Sequence, residues 1–116
     1  MEGVAPAMTD TALRISVQST EYVNVPVSAR VAGSAVNPTA DVVAMALPYR
    51  GVAPVSGDWK TASWETDSTT TPATHYARLL VGPGGTAYQV GSFDVYVKVT
   101  DNPEIPVLLA GEVVFF

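Results

Sequence analysis

From Phe93 to Thr100 the residues alternate without a break, with Phe93, Val95, Val97 and Val99 on one side and Asp94, Tyr96, Lys98 and Thr100 on the other. A period of two sends successive side chains to opposite faces of a strand, so one face of this stretch belongs to a core and the other does not. The alternation then runs into Asp101-Asn102-Pro103-Glu104-Ile105-Pro106. Two prolines three positions apart fix φ and remove two amide donors, and Asn102 is driven toward extended backbone by the proline after it. The strand stops at a turn, and residues 105–116, bent near Ala110–Gly111, form its expected partner.

Similar signals recur along the chain. Residues 21–31 place Val23, Val25, Val27, Ala29 and Val31 on one face, with Asn24, Ser28 and Arg30 on the other. Pro26, on the polar side, marks an edge or a bulge because it cannot donate to a ladder. Residues 13–19 alternate in the same way. Residues 40–48 are apolar on both faces, which fits a central buried strand or a short helix, and the flanking prolines and Val42–Val43 favour the strand. Residues 59–66 read as one short strand whose two tryptophans, five positions apart, point to opposite faces. Residues 75–81 read as a further strand, and Gly82-Pro83-Gly84-Gly85 as a turn tolerant of positive φ. Seven or eight short strands with no helix predict an all-β antiparallel sandwich.

With 116 residues the chain is expected to form one domain, a sandwich over 13–116 preceded by an arm over 1–12. No cysteine is present, which removes disulfides and thiolate chemistry. The net charge is −5 and the six Lys and Arg are scattered, so nucleic acid is not the expected partner. No apolar run is long enough for a membrane-spanning helix. The first residues lack the basic start and apolar centre of a signal peptide, so a cytosolic translation product is expected. Charged residues make up 15% of the chain, against about 25% in an average domain. A deficit of that size suggests either a Thr- and Ser-rich surface or one partly covered by a partner.

Catalytic patterns are not visible. His75 is the single histidine, and no Gly-x-Ser-x-Gly elbow accompanies it. Asp94, Asp101, Glu104 and Glu112 could pair as acid and base, yet Asp101 and Glu104 flank a turn, where carboxylates accept backbone amides. The glycine-rich turn lacks the lysine and helix of a phosphate cradle. Asp41, Asp58, Asp67 and Asp101 do not form a dense calcium pattern. No enzyme activity, metal or cofactor is expected. The aromatics carry more information. One of Trp59 and Trp64 is expected between the sheets, and the other, with outward Tyr96, on a protein interface or a carbohydrate platform.

Residues 91–115, GSFDVYVKVTDNPEIPVLLAGEVVF, resemble the last two strands of immunoglobulin-like domains. Together with STEYVNVPVSARVAGSAVNPTADVVAMALP (19–48) and SGDWKTASWET (56–66), they resemble small virion proteins of tailed bacteriophages that infect actinobacteria. The resemblance covers about residues 13–115. It implies an immunoglobulin-like sandwich without an active site, located in the virion. Such a protein would decorate the capsid by binding the major capsid protein lattice, or serve as a head–tail connector or baseplate adaptor. It would be homo-oligomeric or lattice-bound, with the major capsid protein or other virion proteins as partners. The expected contact residues are Trp59, Trp64, Tyr96, Asp101, Asn102, Pro103, Glu104 and Pro106. A carbohydrate-binding module is the alternative from another class.

Overall fold

The computed structural model describes the backbone of residues 3–6, 12–101 and 104–116. Ten strands are present among them: β1 (Gly3–Pro6), β2 (Leu13–Ile15), β3 (Glu21–Val31), β4 (Ser34–Val36), β5 (Val42–Ala46), β6 (Trp59–Thr61), β7 (Ser63–Asp67), β8 (Thr74–Val81), β9 (Gly91–Thr100) and β10 (Val107–Phe115). One sheet has the order β1-β3-β8-β7, with β4 also on β3; the other has the order β2-β10-β9-β5-β6. We call them sheets A and B. All pairs are antiparallel except β2 with β10. This is the strand order of an immunoglobulin-like sandwich, the all-β class that the alternation predicts.

The core lies between the sheets and is built from the alternating residues. Val23, Val25 and Val27 of β3 and Ala77, Leu79 and Val81 of β8 meet Val43, Met45, Val95, Val97 and Val99 from sheet B. No polar or charged residue among those described is fully buried. One end of the core is aromatic. Tyr88 stacks on Phe115 at 5.2 Å, and both meet Phe93 edge-on at 5.6 and 5.5 Å.

Four local features differ from the sequence expectation, each for a physical reason. Residues 59–66 are two strands, because the chain changes sheets at Ala62, whose amide donates to the Val43 carbonyl at 3.0 Å. The chain after β3 returns at once as a short strand, β4, which the alternation does not predict. Ala32 and Gly33 both take positive φ, 51° and 80°, closing a two-residue hairpin so that Ser34 already pairs with Val31. Residues 13–19 keep only three residues of strand, since the chain turns where the Ser19 amide donates to the Ser16 carbonyl. Gly3–Pro6, within the segment expected as an arm, pairs with Val27–Arg30 of β3. Pro26 sits where that pairing ends, at the start of a stretch of β3 with β8 on one side only.

Candidate functional site

The two outer faces of the sandwich differ in character. On sheet A, Arg78 lies over the Tyr22 ring at 3.5 Å and pairs with Glu65 at 3.0 Å. Tyr76 and Asn24 lie beside them on the same mixed face. On sheet B the outward residues of β5, β6, β9 and the first half of β10 include Val42, Ala44, Trp59, Tyr96, Val107 and Leu109, with Lys98, Thr61 and Thr100 among them. Val42 is 66% exposed, Leu109 59% and Val107 48%. The Lys98 ammonium rests over the Trp59 ring at 4.4 Å, so its charge is partly engaged. Ala46 pairs with Trp59 on one side and Tyr96 on the other, and these flanking rings account for its complete burial on an outward position.

A bulge in β10 creates this face. Leu109 pairs with Tyr96 and Gly111 with Val95, leaving Ala110 as the extra residue. One inserted residue exchanges the faces of everything beyond it. Before the bulge, Val107 and Leu109 point outward. After it, Val113 and Phe115 point into the core and Glu112 points out opposite Asp94. Two carboxylates in register repel. Arg50 relieves that repulsion by pairing with Glu112 at 2.8 Å, while Asp94 accepts the Gly51 amide at 2.9 Å. The outer face of sheet B is therefore charged and tied down at one end and apolar at the other.

The residues chosen from sequence fall into four groups. Trp59 and Tyr96 lie on the apolar face. Asp101, Glu104 and Pro106 border it in the β9–β10 turn, where the Asp101 amide donates to the Glu104 carbonyl at 2.9 Å and the Val99 amide to the Pro106 carbonyl at 3.2 Å. Asn102 and Pro103 lie outside the described residues. Trp64 belongs to the interior: it packs on the core, and its Nε1–H donates to the Asp41 carbonyl at 2.9 Å. The Asp41 carboxyl pKa is raised from its ordinary value, by burial first and by the Asp101 charge second. Sequence reasoning missed Val42, Val107 and Leu109. The slip in alternation at Ala110–Gly111 was the available signal for the last two.

At the opposite end of β9 a cleft of about 390 Å³ opens between residues 47–58 and 87–89. Tyr49 stacks on Phe93 at 4.7 Å on its floor. The Tyr88 hydroxyl is buried there without a hydrogen-bond partner. Burial, and next the charge of Asp58, push its pKa up to about 12. A second cleft, about 490 Å³, lies where β8 gives way to β4 beside β3. His75 on its edge shares a hydrogen bond with the Thr66 hydroxyl at 2.9 Å. Among the described residues no three His, Asp or Glu side chains converge as a metal site. No protein-family model matches the chain, and no curated protein matches it in sequence.

Proposed function

We propose that this protein is a structural component of a bacteriophage virion, a decoration protein that binds the major capsid protein lattice through the apolar half of sheet B. The observation that carries the reading is the contrast between the two outer faces. Sheet A holds Arg78 between Glu65 and the Tyr22 ring, whereas sheet B exposes Val107 and Leu109 near Tyr96 and Trp59, with Val42 further along β5 on the same face. Contiguous apolar surface of this kind marks an interaction site in a soluble domain, and Trp and Tyr are enriched in such sites. The resemblance to small phage virion proteins supplies the identity of the partner. Binding of many copies would stabilise an assembled shell by mass action.

The test is the copy number of this chain in purified particles, by quantitative mass spectrometry against the major capsid protein, for the natural chain and for a Val42→Asp, Leu109→Asp variant. Both side chains are more than half exposed, so the variant is expected to fold. Decoration predicts copies on the order of hundreds, and loss of the variant from particles. A ring of roughly a dozen would instead place the protein at the neck or baseplate. Absence from particles, or full incorporation of the variant, would overturn the proposal.

A further inference from the structure

We infer that the outer strand β7 is a self-docking edge: two copies of this chain pair their β7 strands antiparallel about a two-fold axis at Trp64, joining two sheets A into one. The inference is independent of the virion reading. It uses the edge of sheet A, whereas that reading uses the outer face of sheet B.

The first observation is how the outer strands are guarded. An outer strand carries a row of backbone amides and carbonyls that another strand can pair with. Shortness, proline, bulges and inward-pointing charges are the usual guards. Among the described residues, β2, β4 and β6 have only three residues each, and β1 has four and closes at Pro6. β6 also carries an inward charge, because Lys60 pairs with the core residue Met45. β7 has none of these guards. It has five residues without proline or glycine, and its register with β8 runs through all five unbroken. Its mid-strand charge, Glu65, is already answered by Arg78 of β8 at 3.0 Å. Among the described residues β7 pairs with β8 alone.

The second observation selects the occupant. A two-fold axis normal to the sheet keeps the two outer faces together, so odd residues of one β7 meet odd residues of the other. Ser63, Glu65 and Asp67 share the outer face, and Trp64 turns toward the core. With the axis at Glu65, two carboxylates face each other. With the axis at Thr66, Glu65 faces the partner's Asp67. Like charges directly opposite are destabilising. With the axis at Ser63, the strands overlap by that residue alone. The axis at Trp64 sets Ser63 opposite the partner's Glu65 and joins the two tryptophans as an aromatic cross-strand pair. Arg78, in register behind Ser63, then faces the partner's Glu65 across a small side chain. Each Glu65 lies between its own Arg78 and the partner's, in a row of alternating charge. The edge complements itself, and that is the argument for a second copy. An overlap of residues 63–65 and a net charge of −5 on each copy keep the association weak, with a Kd on the order of 0.1–1 mM.

The experiment is sedimentation equilibrium of the full chain from about 10 μM to about 2 mM, with amide hydrogen exchange at both ends of that range. A monomer–dimer equilibrium is expected. The amides of residues 63–66 should exchange as those of a free outer strand at the low concentration and more slowly at the high one. This is read on the natural chain and needs no variant to fold. Glu65→Arg and Arg78→Glu each give the row a single sign and should weaken dimerisation at least about 10-fold. An equimolar mixture of the two variants should dimerise as well as the natural chain, because each supplies the sign the other lacks. A merely structural role for the Arg78–Glu65 pair could not produce that recovery. The proposal is overturned if either variant alone dimerises as tightly as the natural chain, or if the folded variants do not recover on mixing. A chain that stays monomeric at about 2 mM overturns it too, and leaves the edge to a strand of another protein. Protection confined to Val42, Val107 and Leu109, with β7 unchanged, overturns it in favour of contact through sheet B.

Discussion

A single glycine shows how far one residue's demands reach across the chain. Gly82 has a φ of 96°, and a Cβ there would stand 1.9 Å from the Ser19 carbonyl oxygen and 2.9 Å from its carbon. Both obstacles are backbone, so neither gives way. Gly84, two positions on, has a φ of 84° but open space around it. Replacing Gly84 by Ala should cost about 1 kcal/mol, the conformational penalty alone. Gly82→Ala should cost at least about 3 kcal/mol, because the turn must separate from residues 19–20. Chemical denaturation of the two variants measures the difference, and equal costs would refute this account. The sequence marks both glycines as turn residues. It does not distinguish them, because the obstacle comes from the chain before β3. The burial of Tyr88 is illegible for a similar reason: nothing beside it in sequence says that its ring will pack on Phe93 and Phe115.

Elements carry a different kind of information. The alternation in β3 and β9 is long and central, so pattern and structure agree over Val23–Ala29 and Phe93–Thr100. The agreement weakens where an element changes course. At Ala62 the chain leaves one sheet for the other, which puts Trp59 on the outer face of sheet B and Trp64 inside, against the core. A regular strand through 59–66 also sends the two rings to opposite faces, but it does not say which ring is buried. That choice follows from Trp64 pairing with Ala77, whose side chain faces the core, and from the acceptor waiting at Asp41. Trp64→Phe should lose that hydrogen bond and leave the carbonyl unanswered, lowering stability by about 1–2 kcal/mol. Thermal melts read the loss, and an unchanged stability would mean that the indole N–H contributes nothing. The bulge at Ala110 is the other change of course. It lets β10 expose Leu109 and bury Val113 within a few residues, which a count of alternating positions alone misassigns.

For the whole molecule, the order of strands within each sheet decides which parts open first. β9 lies between β5 and β10, hydrogen-bonded on both sides, and Val95, Val97 and Val99 are completely buried. β6 and β7 are outer strands of three and five residues. Hydrogen exchange should therefore find the slowest amides in β9 and the fastest strand amides in β6 and β7. Comparable protection in the outer strands would mean that the two sheets open as one unit. The sequence revealed the fold class because alternation and turn residues are local signals. It did not reveal the contrast between the outer faces, since that depends on which strands become neighbours. Only in the assembled sheet do Val107 and Leu109 come beside Tyr96 and Trp59, with Val42 on the same face. One pairing has a mechanical meaning as well. β2 runs parallel to β10, the Phe116 amide donates to the Ile15 carbonyl, and the Val17 amide donates to the Phe116 carbonyl. A tension applied between Ala12 and Phe116 drags these strands past each other along their length. Their bonds share the load and yield together, as in a lap joint, rather than peeling apart one at a time.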